Sequence, residues 1–143
     1  MRVTVYRKFE FDAGHRLMGH ESKCAYLHGH RYRVTILIGV VQRLDTIGRV
    51  IDFSVIKDTL GAWLDHNWDH QMILNSADTD AIEAVSRFCR YGSPYLLPYN
   101  PTAEYLAKYL IEEICPALFK NVPVQVVKIT VDETPNCSAE VVV

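Results

Sequence analysis

Apolar and polar side chains alternate along the N-terminal segment MRVTVYRKFEF, and this two-residue period is typical of β-strands. In the first predicted strand, residues 2–12, Phe9 and Phe11 share one face and Glu10 lies on the other. The second, residues 31–41, is rich in β-branched residues. We expect the two strands to pair as a long hairpin, with the residues between them forming an elaborate loop.

Beyond the hairpin the apolar period lengthens, which predicts helices. Residues 54–66 carry an apolar stripe, and either Asp52 or Ser54 can cap the N-terminus of this helix. Residues 78–90 suit a shorter helix. Glycine and proline then predict a loop over residues 91–100.

The clearest helix is predicted to open at Pro101, with Asn100 or Thr102 as its cap. Its apolar positions follow the spacing of three and four residues that places them on one face. Pro116 is expected to end it, because proline cannot donate the next backbone hydrogen bond.

Two further strands, residues 124–133 and 138–143, complete the chain. Two hairpins flanking helices predict an α+β fold, in the order β-β-α-α-β-β, with a four-stranded antiparallel sheet and helices on one face. The length suits a single domain over residues 1–143.

Composition narrows the function classes. The net charge of −2 provides no general attraction to nucleic acid or anionic membranes. The chain has no apolar run long enough to span a bilayer, and its N-terminus lacks the apolar region of a signal peptide. The cysteines form no CxxC pair, so we expect free thiols and a cytoplasmic protein; they are Cys24, Cys89, Cys115 and Cys137.

The strongest local motif is Cys24-Ala-Tyr-Leu-His28-Gly-His30. Histidines two residues apart point to the same side of an extended chain, which makes a half-site for zinc. His15 continues the inward face of the first strand and could complete the site. Three histidines with an open fourth position are typical of catalytic zinc. The alternative is that they are ordinary loop histidines.

Cys24 has three possible roles. A thiol near a cation has a lowered pKa and can act as a base or nucleophile. It could instead be a fourth zinc ligand in a closed structural site, or a small buried side chain.

The dipeptide Asp-His occurs twice, as Asp65-His66 and Asp69-His70. An aspartate that accepts from one imidazole nitrogen makes the other nitrogen a better base, so either pair could move protons. Such a pair needs irregular backbone, because adjacent residues do not face one another on a helix. The alternative is that these histidines interact with the C-terminal dipole of the helix.

Glu133 falls in the apolar row of its strand, with Val127, Ile129 and Val131. A carboxylate aimed inward needs partners, and a ligand with two adjacent N–H donors, such as a 2-aminopyrimidinone ring, would supply them. The alternative is that the strand ends at Asp132 and Glu133 turns into solvent.

Taken together, these motifs resemble the 6-pyruvoyl-tetrahydropterin synthase / 6-carboxytetrahydropterin synthase family, most closely its bacterial carboxy-forming branch. The spacing of three residues between the cysteine and His-Gly-His is similar to that branch. The resemblance covers most of the chain in order: Phe11-Asp-Ala-Gly-His15-Arg-Leu, Cys24-x-x-x-His28-Gly-His30, Val50-Ile-Asp-Phe53, Asp69-His70, Asn100-Pro-Thr-Ala-Glu104 and Val131-Asp-Glu133-Thr134.

The resemblance implies a T-fold (tunnelling fold) that assembles into rings, usually a homohexamer, with active sites between subunits. It also implies roles for individual residues: Zn2+ held by His15, His28 and His30, Cys24 as a catalytic base rather than a ligand, Asp69 and His70 as the second acid/base pair, and Glu133 as the pterin anchor with Thr102 and Glu104 close by.

The implied substrate is 7,8-dihydroneopterin triphosphate, and the implied product is 6-carboxy-5,6,7,8-tetrahydropterin, with release of acetaldehyde and triphosphate. That product feeds 7-deazaguanine and queuosine synthesis. Arg16, Lys23 and Arg31 are cations that could meet the triphosphate. The rival hypotheses are triphosphate elimination alone, which yields 6-pyruvoyl-tetrahydropterin, and a non-catalytic zinc-stabilised module.

Overall fold

The computed structural model describes residues 2–143. Within them, six strands form one sheet in the order β4-β3-β1-β2-β5-β6. The strands are β1 Thr4–His15, β2 His28–Val40, β3 Gln71–Asn75, β4 Tyr95–Leu97, β5 Val124–Thr134 and β6 Cys137–Val142.

The predicted hairpin of β1 and β2 is confirmed, and it is longer at its site end than the sequence pattern indicated. Its antiparallel ladder continues through Gly14 opposite Gly29 to His15 opposite His28. Glycine permits this close approach, because a Cβ on Gly29 would lie 3.1 Å from the carbonyl oxygen of Ala13. Because the ladder extends this far, His15 and His28 lie on regular β-strand.

The prediction of a four-stranded, wholly antiparallel sheet is wrong. β3 runs parallel to β1, and β4 runs parallel to β3, so two short strands widen the sheet and make it mixed. β4 lies within residues 91–100, which were predicted as a loop. These strands have 5 and 3 residues, too few for a period to show, and only neighbouring strands identify them.

The first helix spans residues 53–67, and its middle segment, Lys57–Gly61, is a π-helical turn. Asp52 caps it by accepting from the Ser54 amide. The helix predicted over residues 78–90 is shorter, Thr79–Val85, followed by a 3-10 turn.

The last helix runs from Ala103 to Leu118, so the prediction that Pro116 ends it is wrong. A π-helical segment, Leu110–Ile114, precedes the proline. Pro116 therefore lies in the first turn of the resumed α-helix, where its missing N–H is tolerated.

The first and last helices pack on one face of the sheet, as predicted. The core joins the inward residues of β1, β2 and β5 to the apolar stripes of the first and last helices. The prediction that Val127 lies in the inward row of β5 is wrong. A β-bulge near Val127 shifts the register of β5, so Val126 packs against the core beside Ile129 and Val131. Within residues 2–143, no helix is long and apolar enough to cross a membrane.

Candidate functional site

His15, His28 and His30 meet at the inner end of the hairpin, on the face that packs against the helices. His15 pairs with His28 in the ladder and Ala13 pairs with His30, so all three side chains point to the same side. One ligand nitrogen from each ring lies within 4.8 Å of the other two. The structure therefore brings together the three histidines that the sequence predicted as a metal site.

Two backbone carbonyls determine which imidazole nitrogens carry protons. Nδ1 of His15 lies 2.7 Å from the oxygen of Pro101, and Nδ1 of His28 lies 2.7 Å from the oxygen of Tyr26. A carbonyl only accepts, so each Nδ1 must donate and each Nε2 of the neutral ring carries a lone pair. These two Nε2 atoms are 3.0 Å apart. Two lone pairs at this distance repel unless a cation or a proton lies between them, so the arrangement fits a metal ion.

Burial favours the neutral, metal-binding form of the His15 and His30 rings. It lowers the pKa of His15 to about 4, against the opposing effect of the Pro101 carbonyl, and the neighbouring His28 and His30 add to the decrease. Burial also lowers the pKa of His30, and the charge of Glu133 partly offsets this.

Glu133 faces the cluster rather than solvent. One carboxylate oxygen lies 3.9 Å from Nε2 of His30 and the other lies 4.0 Å from Nε2 of His15. Nε2 of His30 is buried and has no hydrogen-bond partner among residues 2–143. A buried nitrogen without a partner is unfavourable, and a bound metal or ligand would remove that cost.

Cys24 lies in a 3-10 turn, Lys23–Ala25, between the two strands. Its side chain is half-buried, and among residues 2–143 no cysteine joins the three histidines as a ligand. Nearby, burial raises the pKa of the Tyr32 phenol, and the charge of Glu133 adds to that increase.

The two Asp-His pairs have different surroundings. Nδ1 of His70 lies 2.9 Å from Oδ1 of Asp69, which also accepts from the Asp12 amide at 3.1 Å. His70 has a positive φ of 55°, so the irregular backbone that such a pair requires is present. His66 contacts the Tyr91 hydroxyl instead, with Nδ1 3.3 Å from the oxygen.

The Asp69–His70 pair and the histidine cluster lie on opposite faces of the hairpin. Asp12 and Gly14 point away from the core, since their neighbours Ala13 and His15 point into it. His70 lies on that outward side, 70% exposed, at a cavity of about 500 Å³ that Asp12, Gly14 and His30 also line.

The remaining predicted residues surround the start of the last helix. Thr102 caps this helix by accepting from the Tyr105 amide at 3.1 Å, and Glu104 is exposed in its first turn. Thr102 follows Pro101, whose carbonyl orients His15, so this segment adjoins the cluster.

Of the three cations considered for the triphosphate, two are already paired. Arg16 bonds to Asp78, and Arg31 bonds to Asp12. Lys23 is exposed. Sequence reasoning missed Tyr32, whose hydroxyl lies 3.2 Å from Nδ1 of His15, and the two orienting carbonyls. Backbone carbonyls leave no signal in a sequence.

Comparisons with known proteins agree with this geometry. A family model described as 6-pyruvoyl tetrahydropterin synthase matches residues 4–142. The 6-carboxy-5,6,7,8-tetrahydropterin synthases of Rickettsia bellii and Rickettsia felis are each 44% identical over 139 residues, covering 97% of this chain and 99% of theirs. A solved Caenorhabditis elegans 6-pyruvoyl tetrahydropterin synthase has the same fold, with a TM-score of 0.71 at 22% identity, covering 100% of this chain and 96% of that one.

Proposed function

Since the chain belongs to the 6-pyruvoyl tetrahydropterin synthase family, we propose that it is a zinc-dependent 6-carboxy-5,6,7,8-tetrahydropterin synthase. Its substrate would be 7,8-dihydroneopterin triphosphate, and acetaldehyde and triphosphate would be released. The full-length relatives with this name support the assignment, and one structural observation carries the chemistry: two imidazole lone pairs face each other at 3.0 Å beside a third ring.

His15, His28 and His30 would hold the zinc ion. When bound there, zinc would supply Lewis-acid polarisation of the substrate's side-chain hydroxyls. The carbonyls of Pro101 and Tyr26 keep each ring rotated toward the metal position, because each accepts from Nδ1 of one ring.

Glu133 would anchor the pterin ring. Its two carboxylate oxygens can accept from two adjacent N–H groups of a 2-aminopyrimidinone, which is a bidentate, charge-assisted contact. The carboxylate is close to both His15 and His30, so an anchored pterin would have its side chain near the histidine cluster. We propose that Thr102 and Glu104 line the same pocket.

Cys24 and His70 would move protons on the substrate side chain. Asp69 accepts from Nδ1 of His70, which leaves Nε2 of His70 free to take or return a proton. This contact supports the Asp69–His70 pair over Asp65 and His66.

We propose that the site is completed between subunits of a homohexamer. The histidine cluster lies at one face of the hairpin and His70 projects from the other, so a neighbouring chain would bring its own His70 to the substrate. Mixing Cys24→Ala chains with His70→Ala chains tests this. Recovery of activity in the mixture is expected, and two inactive proteins that stay inactive after mixing would argue against a shared site.

The product identifies the reaction. The zinc-loaded protein is incubated with 7,8-dihydroneopterin triphosphate, and the products are analysed by mass spectrometry. Acetaldehyde and 6-carboxy-5,6,7,8-tetrahydropterin support the proposal and the associated role in cytoplasmic queuosine synthesis. A 6-pyruvoyl product without acetaldehyde would assign the chain to the pyruvoyl-forming reaction.

A Cys24→Ala variant tests the non-catalytic alternative. The enzyme hypothesis expects zinc to stay at the same stoichiometry while turnover is lost. Loss of zinc together with the thiol would instead indicate a structural site with cysteine as a ligand.

A further inference from the structure

The loop between β1 and β2 carries Cys24 but contributes little to the core. The 3-10 turn Lys23–Ala25 has no buried residue and no side-chain cap. One backbone bond closes the loop, from the Leu17 amide to the Cys24 oxygen at 2.8 Å. The loop therefore depends on polar contacts from outside it to hold its position.

Asn100 bonds to both backbone groups of Met18, at 2.9 and 3.0 Å, and Asp78 contacts the loop through Arg16. Nε of Arg16 lies 2.5 Å from Oδ2 of Asp78, and Nη2 lies 3.0 Å from Oδ1. Asp78 is 2% exposed. A carboxylate this deeply buried requires a partner, and the two parallel bonds fix the plane of the guanidinium.

The third nitrogen of the Arg16 guanidinium contacts the 3-10 turn that carries Cys24. Nη1 of Arg16 donates to the carbonyl oxygen of Ala25 at 3.0 Å. Ala25 is the residue that follows Cys24. The buried carboxylate of Asp78 is therefore linked, through the Arg16 side chain, to the backbone next to the thiol. All three of these guanidinium nitrogens are occupied, which argues against Arg16 as a triphosphate ligand.

We propose that Arg16 and Asp78 are positioning residues that hold the Cys24 thiol at its working distance from the histidine cluster. This inference rests on the proposed function for the role of Cys24. Asp78 does not act on the substrate. It fixes Arg16, and Arg16 fixes the turn.

The test uses Asp78→Asn and Arg16→Lys in the full-length, zinc-loaded protein. Asparagine keeps the size of the side chain, and the helix that begins at Thr79 loses no capping hydrogen bond, since the Asp78 side chain makes none. Lysine keeps the positive charge but cannot bond to Asp78 twice and to Ala25 at once. If Asp78→Asn does not fold, Arg16→Lys carries the test.

Three quantities are measured: the rate of Cys24 alkylation by iodoacetamide, followed by mass spectrometry of its peptide; zinc per chain; and kcat and KM. We expect alkylation to change severalfold, zinc to stay constant, and kcat to fall by about 10- to 100-fold with little change in KM, since a small misplacement of a reacting group is costly. Asp45→Asn is the matched control, because Asp45 pairs with Arg49 in a distant exposed turn.

Alkylation and kcat equal to those of the Asp45→Asn protein would overturn the proposal. Loss of zinc in step with kcat would also overturn it, since the pair would then act on the fold as a whole. The alkylation measurement does not depend on turnover. If Cys24→Ala remains active, the proposed catalytic role of Cys24 fails, and the alkylation rates of the wild-type and variant proteins still report whether the pair holds the turn.

Discussion

The histidine cluster on the hairpin and the Asp69–His70 pair just before β3 are built in opposite ways. His15 is 1% exposed, and backbone carbonyls fix the protonated nitrogens of His15 and His28. His70 is 70% exposed, on strained backbone, and one carboxylate holds it. The buried group has the rigidity that metal binding needs, whereas the exposed group is available to a molecule outside the subunit. The predictions below test this division.

The largest effect is expected from His30→Ala. Removing one of the three proposed ligands would leave a two-histidine site, so zinc per chain should fall sharply and kcat should fall by more than about 10⁴-fold, the several kcal/mol that a catalytic metal supplies. Metal analysis and steady-state kinetics measure both. The control is His20→Ala, because Nδ1 of His20 only accepts from the nearby Ser22 amide. Full zinc in the His30→Ala protein would refute the three-histidine site.

The next largest effect distinguishes the Asp69–His70 pair from the histidine cluster. His70→Ala should lower kcat by about 10³-fold, the usual contribution of a positioned acid/base, while zinc per chain stays unchanged. His66→Ala is the matched control, since it removes the histidine of the other Asp-His pair. If His66→Ala loses activity and His70→Ala keeps it, the assignment of the pair is reversed.

A smaller effect is expected from Glu133→Gln, which removes the charge and keeps the shape. Losing one charge-assisted contact should raise KM by about 10- to 100-fold, with zinc retained. Glu140→Gln is the control, because Glu140 pairs with Lys128 at the sheet edge, 3.2 Å away. An unchanged KM would remove Glu133 from the pterin site.

The smallest effect concerns stability. Thr102→Ala deletes the cap of the last helix, so the free energy of unfolding should fall by about 1 kcal/mol, as measured by urea denaturation. Thr102→Ser keeps the capping oxygen and should keep the stability. Equal stability of the alanine and serine variants would mean that the cap contributes nothing.

Sequence patterns predicted the regular parts of the fold well. The alternation in β1 and β2 predicted the hairpin and its inward face, and the apolar stripes predicted the first and last helices. They failed where a local pattern was too short, as in β3 and β4, or where an irregular segment intervened. The π-helical turn before Pro116 is one such segment, and it shifts the residues after it by a fraction of a helical turn. The bulge near Val127 is another, and it shifts the residues of β5 by one strand position.

By itself the sequence determined that His28 and His30 point to one side, since two residues separate them on extended chain. It also predicted that Glu133 points inward, because it falls in an apolar row, and the structure places its carboxylate 3.9 Å from His30 and 4.0 Å from His15. Only the tertiary structure decided that Asp69 rather than Asp65 bonds to a histidine, and that Arg16 donates to Asp78 and Ala25 rather than to solvent. The physical reason is that alternation and helical period are local, whereas a hydrogen bond between residues 62 positions apart depends on how the whole sheet brings them together.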